Sequence, residues 1–114
     1  MSAPAVTVVV PTVDRTQLLR RTLDGLAAQE RDDIDIVVVH DGDPGIVHLL
    51  SSCTDPRVRA MEVSDRSATA KRNAGWRSSA ASVIAFTDDD CEPTAQWLAE
   101  LLPLFDDPCV DIAQ

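Results

Sequence analysis

The sequence predicts an α/β fold: a doubly wound, mainly parallel sheet whose strands alternate with helices. Three observations carry this expectation. Apolar, β-branched runs recur along the chain, segments with helical spacing separate them, and most of the runs are near-continuous rather than alternating, as in strands covered on both faces. With 114 residues, 45% hydrophobic and 25% charged, the chain is large enough for one core, and a single domain spanning 1–114 is expected.

The first strand is expected at "AVTVVV", Ala5 to Val10. "TQLLRRTLDGLAAQ" then places Leu18, Leu19, Thr22, Leu23 and Leu26 on one stripe and Arg20, Arg21 and Asp24 on the other, with Asp14 or Thr16 as its N-cap. "IDIVVV", Ile34 to Val39, is the second strand, and "IVHLLSSC" a short helix after it. "VRAMEV", Val58 to Val63, is interrupted by Arg59 and Glu62, so it should lie nearer an edge. "TAKRNAGWRSSA" reads as the third helix and "SVIAFT", Ser82 to Thr87, as a fourth strand covered on both faces. "PTAQWLAELLPLF" opens with a proline and threonine suited to a first helical turn, and "VDIA" from Val110 is a candidate fifth strand. Strand–helix alternation implies right-handed crossovers.

Composition excludes several functions. A net charge of -9 argues against nucleic acid or an anionic membrane surface as a partner, and a phosphate ester would need a cation or a local arginine cluster to mediate. The opening "MSAPAVTVVVP" has no basic n-region and too short an apolar stretch for a signal peptide or a membrane span, so the cytoplasm is the expected compartment. Cys53, Cys91 and Cys109 are widely spaced with no CxxC, and are expected as reduced, mostly packed thiols. Trp76 and Trp97 are expected in the core, His48 as structural, and His40 as a capped turn residue.

Ligands of open α/β sheets bind beyond the carboxyl ends of the strands. Polar residues gather there four times: Pro11-Thr12-Val13-Asp14, His40-Asp41-Gly42-Asp43, Ser64-Asp65-Arg66 and Asp88-Asp89-Asp90. The aspartate run carries little by itself, since fifteen of the residues are aspartate. At a strand end, however, such carboxylates can share one hard cation such as Mg²⁺ or Mn²⁺, which takes its other ligands from water and substrate phosphates. The same position also suits a solvated acidic turn at the head of the next helix. GxGxxG and Walker glycines are absent, and no acidic cluster directly follows the first strand, which removes the dinucleotide, P-loop and aspartyl-phosphate readings.

Four blocks, "VVVPT.DR" with "LL..TL..L..Q", "DIVVV.DG", "AKRNAG" and "IAFTDDDCEP...WL", make the span from about Val6 to Leu102 resemble the nucleotide-sugar-binding half of a family 2 glycosyltransferase. The resemblance implies a truncated GT-A, Rossmann-like fold that binds a nucleoside-diphosphate sugar, of UDP type, through Mg²⁺ or Mn²⁺ for inverting transfer to an acceptor. Pro11, Thr12 and Val13 would wall the base, and Asp41 would accept from the imide N–H, as an acceptor-only carboxylate can. Arg72, with Lys71 or Arg66, would line the nucleotide; Asp88 would reach the ribose; Asp89, also on the nucleotide side, and Asp90 would sit by the metal. Val13 stands where the family often has a stacking aromatic, Asp14 where Asn is usual and His40 where an aspartate is usual, so weaker base stacking is expected.

Family domains continue into an acceptor subdomain that supplies the general base. This chain is therefore expected to be a fragment that binds nucleotide, is inactive alone, and self-associates through surface left exposed. A noncatalytic nucleotide-binding module and a fold-only scaffold are the alternatives.

Overall fold

The computed structural model describes residues 4–13 and 16–107. Four strands, β1 (Val6–Pro11), β2 (Ile34–His40), β3 (Val58–Glu62) and β4 (Val83–Phe86), form one sheet in the order β3-β2-β1-β4, and every pairing is parallel. Between and after them run α1 (Thr16–Ala27), α2 (Pro44–Ser51), α3 (Ala68–Arg77), α4 (Trp97–Leu101) and a 3₁₀ turn, Leu102–Asp106.

The period-2 geometry of a strand divides β1 and β2 between two cores. Val6, Val8 and Val10 join Ile34, Ile36 and Val38 on the face covered by Leu19, Leu23 and Leu26 of α1, Ile46 and Leu49 of α2 and Leu98 of α4. Val9, Val37 and Val39 point to the other face, against which α3 packs. The register follows from these two apolar sets, since a one-residue slip would exchange them. Close packing of α3 depends on Gly75: a Cβ there would lie 2.4 Å from Val9 Cγ1 and 3.3 Å from Val39 Cγ2.

Several expectations need correcting. Among the described residues β4 is the last strand of the sheet; Val83 and Ala85 pack on one core and Ile84 on the other, but its end is open, with Phe86 47% exposed. Trp76, expected in the core, is exposed on α3 with Arg77 stacked over its ring, whereas Trp97 does pack against the main core. The third helix begins on Ser67, whose hydroxyl accepts from Ala70 N, and the second begins at Pro44 because the Asp43 side chain accepts from Ile46 N. The last helix is shorter than its pattern. Pro93 to Gln96 stay outside it, and Pro103, which has no N–H to donate, falls in the 3₁₀ turn that follows. Cys91 is exposed and Cys53 half-buried rather than packed away. Asp14, Cys109 and the candidate strand from Val110 lie outside the described residues.

At the amino ends of the strands a polar network pins the sheet. Arg59 holds Asp35 through bonds of 3.0 Å from both Nε and Nη2, Thr7 donates to the same carboxylate at 3.0 Å, and Arg59 also reaches the Ser78 hydroxyl beyond α3. Nearby, the Arg57 guanidinium beside Asp55 holds its carboxyl below the usual carboxylate range.

Candidate functional site

The strand order reverses between β1 and β4: the chain steps outward from β1 to β3, then returns to the other side of β1. Such a switch point leaves a crevice at the carboxyl ends, because the flanking connections run to opposite faces. A cleft of about 360 Å³ lies there, lined by Pro11, Thr12, Val13, Ala68, Lys71, Asp88, Asp89 and Asp90. Seven of those eight residues are ones the sequence singles out. Ala68, the first residue of α3, has no chemical signature and was not among them.

Each element delivers its residues for a local reason. β1 ends at Pro11, after which Thr12 N still donates to Val39 O at 3.0 Å and continues the β2 pairing past the proline. The buried Thr12 hydroxyl donates to Asp89 Oδ2 at 2.8 Å, so the middle aspartate faces the protein. Asp88 and Asp90 are exposed, and with Cys91 Sγ they present ligand atoms all within 4.8 Å of one another. Expectation set Asp89 and Asp90 beside the cation; the geometry groups Asp90 with Asp88.

Lys71 is wholly buried and donates to Asp65 O at 3.0 Å, tying α3 to the loop that follows β3. It lines the cleft together with the three aspartates. Arg72, the next residue, pairs with the cleft residue Asp88 at 3.3 Å. Asp41 and Arg66 do not line the cleft. They pair with each other at 3.3 Å beside it, Asp41 standing directly after β2 and Arg66 between β3 and α3. His40 is buried, and its Nδ1 accepts from Gly42 N, whose φ of 91° only glycine adopts readily. It braces the turn that carries Asp41, as a capped turn residue should. The arrangement thus pairs a local basic group, Lys71, Arg72 and Arg66, with an acidic turn inside an acidic chain, a combination suited to an anion that arrives with a cation.

Comparison with known proteins agrees with the fold and its motifs. The family model described as "Glycosyl transferase family 2" matches residues 7–114. Glycosyltransferase AglE of Haloferax volcanii is 28% identical over 101 residues, covering 83% of this chain and 33% of that protein. Glycosyltransferase GlyA of Streptococcus pneumoniae is 32% identical over 88 residues, covering 75% of this chain and 13% of GlyA. The chain therefore spans about a third or less of the curated relatives it matches. Among solved structures, the mannosyltransferase PcManGT from Pyrobaculum calidifontis, in complex with GDP-Man and Mn²⁺, superposes with a TM-score of 0.72 at 26% identity, covering 87% of this chain and 33% of that one. S. aureus TarS in complex with UDP-GlcNAc is similar in fold, with a TM-score of 0.77 at 19% identity over 90% of this chain and 31% of that one. Among the described residues no helix is long and apolar enough to cross a membrane. With the family model covering nearly the whole sequence and the parallel sheet matching in structure, the chain belongs to glycosyl transferase family 2.

Proposed function

We propose that this chain is the donor-binding part of an inverting glycosyltransferase and takes a nucleoside-diphosphate sugar, of UDP type, together with Mg²⁺ or Mn²⁺. The observation that supports this best is the cleft at the β1/β4 switch point, which brings the turn after β1, the buried lysine of α3 and the acidic turn after β4 into one wall. In this reading Pro11, Thr12 and Val13 flank the base, Asp41 accepts its imide N–H, and Lys71 and Arg72 face the diphosphate. Asp41 must then exchange part of its pairing with Arg66 for the base edge, which an exposed arginine permits at small cost.

Asp88 and Asp90 suit a hard divalent cation, being exposed carboxylates one residue apart, while the Cys91 thiol is a softer donor and adds little to such a site. When bound, the cation would supply Lewis-acid neutralisation of the departing diphosphate. The general base that inversion requires is not assigned to any residue of this chain. PcManGT holds GDP-Man, and an acceptor-only Asp41 suits guanine N1–H as well as uracil N3–H, so both nucleotides belong in the test.

The test is thermal unfolding with Mn²⁺ alone, nucleotide alone, and both. A ligand that binds only the folded state raises Tm. The reading expects UDP with Mn²⁺ to raise Tm beyond either component alone, more than GDP with Mn²⁺ does, and the shift to vanish in Asp90→Asn. A larger shift with GDP would replace the uridine assignment, and no shift with any nucleotide would sink the donor-site reading.

A further inference from the structure

The acidic turn is held from two sides by bonds that have no place in the recognition scheme above. From α1 and the residues just after it, Thr22, Gly25 and Gln29 face the segment that follows β4. The Thr22 hydroxyl, buried among leucines, donates to Cys91 O. A Cβ on Gly25 would lie 2.9 Å from Pro93 Cδ and 3.0 Å from Pro93 O, so Pro93 rests directly on the helix backbone. Gln29 donates to Thr94 O at 2.6 Å and accepts from Leu98 N at 3.0 Å, giving α4 a cap supplied from α1's side of the core. From β1, Thr12 donates to Asp89, and within the turn Cys91 N donates to Asp88 O at 3.3 Å.

These contacts have a directional result. Tethering the middle carboxylate inward leaves its two neighbours projecting outward, where their oxygens come within reach of one another. A turn already held in that form loses less freedom when a ligand arrives. We propose that Thr22 and Asp89 are positioning residues of the cation site: Thr22 pins the turn to α1, and Asp89 pins it to Thr12 without touching the cation. This rests on the nucleoside-diphosphate reading of the same cleft and assigns roles that the sequence pattern does not, since Thr22 sits within an apolar helical stripe and Asp89 within an acidic run.

The test uses the whole chain and two readouts. The first is titration with UDP in Mn²⁺ and with uridine, which lacks the diphosphate. Loss of one hydrogen bond predicts that Thr22→Val weakens UDP binding in Mn²⁺ by about three- to tenfold. Uridine binding should stay unchanged, and Thr22→Ser should restore the UDP affinity. Asp89→Asn keeps an oxygen for the Thr12 hydroxyl and should retain Mn²⁺-dependent binding, whereas Asp90→Asn should lose it. Asp89→Asn behaving like Asp90→Asn would make Asp89 a ligand and overturn the proposal; so would equal weakening of UDP and uridine by Thr22→Val.

The second readout needs no nucleotide. Amide hydrogen exchange of the free chain should quicken at Cys91 in Thr22→Val by about three- to tenfold while the amides of β1 and β2 keep their protection. Absence of UDP binding by the unaltered chain would refute the donor-site reading; unchanged exchange at Cys91 in Thr22→Val would refute the pinning of the turn by Thr22.

Discussion

Replacing Gly75 with alanine should destabilise the chain and weaken nucleotide binding together. The added methyl would sit 2.4 Å from Val9 Cγ1, 3.1 Å from Val9 Cγ2 and 3.3 Å from Val39 Cγ2. Ordinary carbon contacts lie at about 3.5–4.0 Å, so α3 must lift by about 1 Å or the valines must leave their rotamers. Both valines are β-branched, wholly buried and in the two central strands, which leaves little room to yield. Over-packing of this kind costs about 1–3 kcal/mol, and this contact belongs at the upper end. Alanine returns about 0.8–1.0 kcal/mol of helix propensity over glycine. The net loss is about 2 kcal/mol, or about 8 °C in Tm for a chain of this size. Lys71 precedes Gly75 by four residues on the same buried face of α3, so lifting the helix also withdraws Lys71 from the cleft. Urea and thermal unfolding with UDP titration check both effects. A Tm unchanged or raised in Gly75→Ala would mean that propensity outweighs contact, and the tight seating of α3 on β1 would be refuted.

Other outcomes follow from the opposite end of the sheet. Arg57 holds Asp55, and Arg31 holds Asp33, below the ordinary carboxylate value of 3.8, so the unfolded chain takes up these protons first on acidification. Their stabilisation is complete above that value and is lost as pH falls through the lowered ones. The urea midpoint should therefore drop below about pH 4, and less steeply in Arg57→Met; an identical slope in that variant would exclude the pair as a contributor. Asp35→Ala leaves Thr7 and the half-exposed Arg59 without their shared acceptor and should cost about 1–2 kcal/mol in a urea melt. Because Asp35 lies far along β2 from the cleft, the affinity for UDP with Mn²⁺ should hold, and a parallel loss of affinity would contradict that separation.

Much of the fold was legible because β1 and β2 are uninterrupted apolar runs and α1 has a strong 3.6-residue stripe. β4 misled for a physical reason. "VIAF" is as apolar as a central strand, but no partner strand covers its outer side among the described residues, and apolarity alone does not reveal sheet position. Trp76 misled similarly: an aromatic on a helix suggests burial, yet α3 buries Lys71 and Gly75 instead, because the cleft and the valine contact need that face. The ends of the last helix depended on Gln29, a residue 69 positions away whose side chain accepts from Leu98 N. No local pattern around Pro93 records it.

The candidate site was legible as a set, since turns at the carboxyl ends of parallel strands must share an edge. Its internal division was not. Three consecutive aspartates look alike in sequence, whereas in the structure Asp89 is buried with the Thr12 hydroxyl donating to it and Asp88 and Asp90 are exposed. In the same way, sequence placed Asp41 and Arg66 together near the nucleotide but gave no sign that they pair with each other.

The most direct test of the central claim is calorimetric titration of the chain with UDP in Mn²⁺ and again in EDTA, beside a variant carrying Asp88→Asn and Asp90→Asn. A donor site of the kind proposed predicts binding in Mn²⁺ that is lost in EDTA and lost in the variant. Equal heats in Mn²⁺ and EDTA, or full binding by the variant, would contradict a cation held by the acidic turn.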